Sequence, residues 1–158
     1  MSASLPAARP TPQQYISGFV LYVRWPDDAA IKDWQVCIAT PANAGDAQYA
    51  GMIVRERPFV VRHVVLGDAL GTCQILDLTA ANPASAAGFL KVAQAQRGLL
   101  IVGDGKDFCS AGGLICLHSG EARGGFEVNL SAVKNAGFTI NAKLLMMARQ
   151  ADAGGTPP

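Results

Sequence analysis

Long apolar runs are what this chain of 158 residues most plainly lacks. No stretch approaches the ~18–20 consecutive apolar residues that a membrane helix needs, so direct membrane insertion is not expected. A charge excess is missing too: 13 Lys and Arg stand against 12 Asp and Glu. Nucleic-acid binders carry a clustered basic surplus, because neutralising phosphate supplies most of their affinity. Here only Arg55, Arg57 and Arg62 come close together, and they read as a solvated strand or turn face. A nucleic-acid partner is therefore not expected. The scarcity of charge does not imply disorder, since half the residues are hydrophobic, which is enough for one packed domain.

The equipment of common enzymes is equally sparse. His63 and His118 are the only histidines, and they lie in separate strand-like runs rather than at the i,i+4 spacing of a helical metal pair. There is no G-x-S-x-G elbow and no H-E-x-x-H. Val102-Gly103-Asp104-Gly105-Lys106 has the look of a phosphate loop, but Lys106 is followed by Asp107 and no second glycine stands at the right distance; a dinucleotide fingerprint fails at Phe108. A plain strand-ending turn accounts for it better. Cys109 would serve as a nucleophile only if reduced, low in pKa and beside a histidine. The expectation is a non-enzyme without cofactor, metal site or catalytic residues.

Four cysteines are present: Cys37, Cys73, Cys109 and Cys116. None forms the C-x-x-C pair of a zinc knuckle or redox site. Three pairings are open. A local Cys109–Cys116 bridge is geometrically easy around the glycines of SAGGLI, and Cys37 and Cys73 sit in apolar strand-like runs that a second bridge would join. Such bridges would contribute roughly 2–3 and roughly 4 kcal/mol and would point to an oxidising compartment, the periplasm or beyond. Four buried free thiols in a cytosolic protein is the other reading.

Along the chain, Thr11-Pro12 and Asn82-Pro83 both pair a capping side chain with proline at the first helical position. The first predicts a helix with Tyr15, Ile16, Phe19, Val20 and Val23 on one stripe, ending at Trp25-Pro26. The second predicts a helix with Ala86, Phe89, Leu90, Val92 and Ala93 on its apolar face. Strands are predicted at 34–40, 59–66, 73–78, 99–103, 113–118 and 125–130, and helices at 46–54, 132–136 and 142–149. Pro41 to Ala50 is small and polar. Trp25 and Trp34 read as core anchors. The predicted fold is a single layered α/β domain, a mixed sheet of about six strands flanked by about five helices and carrying two disulfides. Residues 1–12 and 151–158 read as flexible segments around a domain at 13–150. The opening MSASLPAARPTPQQ lacks the apolar core of a signal peptide.

The stretch GGLICLHSGEARGGFEVNLSAVKNAGFTINAKLLMMA, residues 112–148, resembles the YfiR-like family of periplasmic regulators. The shared features are a glycine-led apolar strand, a turn, a strand close to R-F-E-I-N, a helix, and a terminal LL-x-x-A helix. Arg24-Trp25-Pro26, the Cys37 and Cys73 strands and LLIVGD extend the likeness in order from Gln13 to Ala148. Gly125 stands where the motif has arginine, with Arg123 two positions earlier, and Asn141-Ala142 replaces a serine near the last helix. The resemblance implies a periplasmic, often homodimeric repressor of a membrane-bound diguanylate cyclase. Such a repressor engages the cyclase's periplasmic sensor region and so lowers cyclic di-GMP and biofilm formation. It also implies the bridges Cys37–Cys73 and Cys109–Cys116. A periplasmic small-molecule-binding module is the alternative, and a small-molecule ligand is possible for either.

Period-two alternation places Leu114, Cys116 and His118 on one side of their strand and Ile115 and Leu117 on the other. The predicted partner-binding patch is Ile115 with Glu127 and Asn129, extended by Val133 on the following helix. The competing reading buries Ile115 under a helix and leaves Glu127 merely solvated. Reduction of Cys109–Cys116 is expected to loosen partner binding before it unfolds the domain.

Overall fold

A computed structural model describes residues 10–39, 46–122 and 124–151. Residues 1–9 and 152–158 of the expected flexible ends, the stretch from Thr40 up to residue 45, and Arg123 lie outside the described residues. Helix α1 (Pro12–Tyr22) starts where the cap predicts: the Thr11 hydroxyl accepts from the Gln14 N–H at 3.1 Å, and the Gln14 side chain accepts from the Thr11 N–H at 2.8 Å. Its stripe buries Ile16, Phe19 and Val20. The helix ends before Trp25-Pro26, because Val23–Arg24 become a short strand, β1, paired antiparallel with β9 (Thr139–Ile140). Val23 caps the helix in an extended conformation natural to a β-branched residue.

The main sheet has seven strands: β2 (Trp34–Ile38), β3 (Ile53–Val54), β4 (Arg57–His63), β5 (Ile75–Asp77), β6 (Leu100–Asp104), β7 (Ile115–Leu117) and β8 (Phe126–Val128). Their spatial order is β3-β4-β2-β5-β6-β7-β8. Strands β4, β2, β5, β6 and β7 run parallel, and β3 and β8 flank them antiparallel. The parallel strands thus follow the doubly wound order 2-1-3-4-5. Parallel strands covered on both faces read as continuous apolar runs, and β5 and β7 are buried at every position. Six α-helices are described; the others are α2 (Asp46–Tyr49), α3 (Pro83–Ala93), α4 (Lys106–Ser110), α5 (Leu130–Asn135) and α6 (Ala142–Ala151). Asn82 caps α3 through Ser85 N–H at 2.8 Å. Val92, expected on its apolar face, is 63% exposed, whereas Phe89, Leu90 and Ala93 are buried.

The helix expected over 46–54 is only α2. Gly51 turns the chain at φ 80°, and Ile53–Val54 return as β3 of a hairpin with β4. The hairpin turn is Arg55-Glu56, both left-handed at φ 53° and 64°, a conformation that costs a residue with a Cβ about 1–2 kcal/mol. Arg55 offsets this with its side chain. Its guanidinium donates to the Val20 and Val23 carbonyls at 3.3 Å each, pairs with Asp28, and lies 5.3 Å from the centre of the Trp34 ring. Trp34 and Trp25 are core anchors as expected, with rings 4.9 Å apart and both indole N–H groups bonded to backbone carbonyls, those of Val54 and Gln74. Both disulfides form as the resemblance implied: Cys37–Cys73, with Cα atoms 5.9 Å apart, and Cys109–Cys116, with Cα atoms 5.7 Å apart.

Candidate functional site

The β8 end of the sheet gathers the residues the sequence singled out. Beyond β6, Gly105 turns the chain at φ 94° into α4, a single short helix. This helix was not expected, and its place is set by tertiary contacts. The Phe108 ring lies flat on two glycines: a Cβ on Gly103 would come within 2.6 Å of it, and one on Gly113 within 2.1 Å. The next residue, Cys109, is bonded to Cys116 in the middle of β7.

Asn129 completes this arrangement. Its side-chain carbonyl accepts from the Ala132 N–H at 3.1 Å and so caps α5, while its amide donates to the Cys109 carbonyl at 3.1 Å. One side chain therefore ties the end of β8, the start of α5 and the disulfide loop together. Gly125 N–H donates to the Tyr15 hydroxyl at 3.2 Å, and Phe126 packs on Phe19 with centroids 4.9 Å apart, which fixes the other face of β8 on α1.

Glu127 sits opposite Cys116 in the ladder, with its side chain 53% exposed. Beside it His118 is nearly buried. Its Nε2 lies 3.7 Å from Glu127 and its Nδ1 3.4 Å from Glu121. These separations are too long for strong hydrogen bonds, so the contacts are ionic only when the imidazole is protonated. The result is an acidic rim around one histidine, and that cluster was not read from the sequence. Two carboxylates within ten residues of His118, across a turn, were the signal available. Leu130, 46% exposed at the first position of α5, was also missed.

Ile115 and Val133 are not surface residues. Ile115 is fully buried, and Val133 is 1% exposed. The register also divides the expected patch: Ile115 pairs with Val128 and Cys116 with Glu127, so Ile115 lies on the sheet face opposite Glu127, and every position of β7 is buried. Of the expected patch, Glu127 meets solvent and Asn129 does so in part.

Elsewhere the polar side chains pair with one another, except that the buried His63 Nδ1 has no hydrogen-bond partner. Asp77, 2% exposed at the end of β5, accepts from the Tyr49 hydroxyl at 2.9 Å and from the Thr79 N–H and hydroxyl at 2.9 and 2.6 Å. Burial first, then the Asp77 charge, pushes the Tyr49 hydroxyl far above its ordinary pKa. His63 contacts Asp46 at 2.7 Å. Among the described residues no group of three or more His, Cys, Asp or Glu is placed to hold a metal ion, and no helix is long and apolar enough to cross a membrane.

A protein-family model described as YfiR/HmsC-like matches residues 12–149.

Proposed function

The chain belongs to the YfiR/HmsC-like family, and from that premise we propose that it is a periplasmic regulatory protein acting on a membrane-bound diguanylate cyclase. It represses the cyclase by engaging its periplasmic sensor region, and so lowers cyclic di-GMP and biofilm formation. The observation that carries this reading is a family match running through both disulfides and every strand of the sheet. The family is a regulatory one, and the two cross-links fit an oxidising compartment.

The docking surface in this reading is the solvent side of β8 and the start of α5. Glu127 supplies charge and Leu130 supplies apolar area, a mixture suited to a reversible interface. Asn129 and the Cys109–Cys116 bridge hold that surface in shape from beneath, while Ile115 and Val133 contribute only through the core. The working unit is a homodimer.

The test is a titration of the oxidised protein against the purified sensor region of the cyclase. Saturable binding is expected. Glu127→Lys should weaken it about tenfold or more, as for a charge at an interface centre, and Lys91→Glu on α3 should not. Cys109→Ala/Cys116→Ala should lose affinity while keeping its circular dichroism. No binding by the native protein, or equal effects of Glu127→Lys and Lys91→Glu, would remove this reading. Sedimentation equilibrium giving only monomer would remove the dimer.

A further inference from the structure

A second site lies between α3 and α4. In a doubly wound sheet a crossover helix usually runs back along the strand it follows, and α3 does so with 11 residues. Helix α4 has only 5, about a turn and a half. The shortfall leaves one flank of α3 uncovered and opens a cleft of about 560 Å³ at the C-terminal ends of β5 and β6. Ligand clefts in parallel sheets form at this end of the strands, and the volume is in the range of small-molecule sites.

The lining has a definite chemistry. Leu78 forms the floor, Ala87 and Leu90 one wall, and Phe108 and Ala111 the other. Small side chains on both walls keep the space open. The α4 wall is anchored, because Phe108 is wedged on Gly103 and Gly113 and its neighbour Cys109 is covalently tied to β7. At the mouth stand Asp104, Lys106 and Asp107, two carboxylates against one ammonium. Asp104 is held in place by the Ser119 N–H at 3.1 Å and the Ser119 hydroxyl. A carboxylate offers about four acceptor positions, so about two remain for a ligand.

We propose that this cleft binds a small cationic amphiphile, an aromatic or aliphatic body carrying one amine. The apolar walls take the body, and the Asp104 and Asp107 carboxylates at the mouth take the ammonium group. The site is separate from the β8 surface and does not depend on the regulatory reading.

Three probes of one shape distinguish the terms: phenylbutylamine, phenylbutanol and phenylbutyrate. They are titrated into the full-length oxidised protein and followed by amide chemical shifts. The amine should give saturable shifts at Ala87, Gly105 and Phe108 and bind about three- to fivefold more tightly than the carboxylate, the scale of one solvent-exposed ion pair. Ala87→Trp, at an exposed position, should fill the cleft and abolish binding while leaving the remaining spectrum intact. Asp107→Lys should reverse the preference between amine and carboxylate. Absence of saturable shifts at the cleft, binding undiminished in Ala87→Trp, or equal affinity for amine and carboxylate would overturn the proposal. None of these outcomes bears on cyclase binding.

Discussion

Replacing Cys37 and Cys73 together by alanine removes a cross-link spanning 36 positions of sequence, whereas replacing Cys109 and Cys116 removes one spanning 7. The packing lost in the folded state is similar, since all four residues are buried and each pair has one fully buried member, Cys37 or Cys116. The long bridge loses in addition the Arg62 guanidinium, which lies 3.6 and 3.3 Å from the Cys37 and Cys73 sulfurs. The larger difference comes from the unfolded chain, which regains more freedom when the longer loop is released. Loop-closure entropy puts the stabilisation at about 3.8 kcal/mol for the long bridge and about 2.4 kcal/mol for the short one. The gap of about 1.4 kcal/mol is a tenfold difference in the unfolding equilibrium constant. For a domain with a total stability of about 5 kcal/mol, the lower end of the usual range, losing the long bridge leaves about 1 kcal/mol and losing the short one about 2.6 kcal/mol. Urea titration followed through the buried Trp25 and Trp34 measures both. The long-bridge variant should also show the larger rise in denaturant slope, because its unfolded state expands more. Equal losses from the two variants, or a greater loss from the short bridge, would refute the reasoning.

Two further outcomes follow from the packing and the charges. Gly113→Ala should destabilise by about 1–3 kcal/mol through its clash with Phe108. Combined with Phe108→Ala the costs should fall short of their sum by about 1 kcal/mol or more in a double-mutant cycle, since one change relieves the other; simple additivity would show that the ring does not rest on that glycine. Burial pushes the Asp28 carboxyl up, but hydrogen bonds from Arg55, the Trp25 N–H and Arg57, together with the Arg55 charge, outweigh it and hold the pKa below its ordinary value. The folded pKa lies below the unfolded one, so this stabilisation is complete above the ordinary carboxylate range and disappears as pH falls through the folded value. Asp28→Asn should then melt about 2–4 °C lower at neutral pH, the effect of about 1 kcal/mol in a domain of this size. The two melting curves should converge in strong acid, and a deficit unchanged by acid would refute the assignment.

The parts legible in the sequence were those where local chemistry and tertiary structure agree. Thr11-Pro12 and Asn82-Pro83 carry their own capping groups, and both helices begin there. The run FVVRHVVL is β-branched and forms most of β4. Illegible parts take their conformation from distant partners. Helix α4 has no side-chain cap and exists because Phe108 and Cys109 are anchored elsewhere. The Arg55-Glu56 turn lacks the glycine or asparagine that would announce a hairpin. β1 is extended because β9 lies beside it. At the candidate site the burial of Ile115 had a local sign, since LICL is apolar without a break, the pattern of a strand covered on both faces. The exposure of Glu127 agreed with its polarity. The approach of Glu121 and Glu127 to His118 depends on how the β7–β8 connection closes, which no short-range pattern encodes.

The Arg55-Glu56 turn also sets how freely its two residues can drift. Both hold the same awkward backbone shape, so on conformational grounds both would gain from glycine or asparagine. Arg55 is committed, because its head group joins the end of α1 to Asp28 and roofs Trp34. Glu56 is exposed and bears the awkwardness without a comparable tie. Across descendants of this sequence the first position is therefore constrained by its side chain, and the second is free to change in the direction that relaxes the loop.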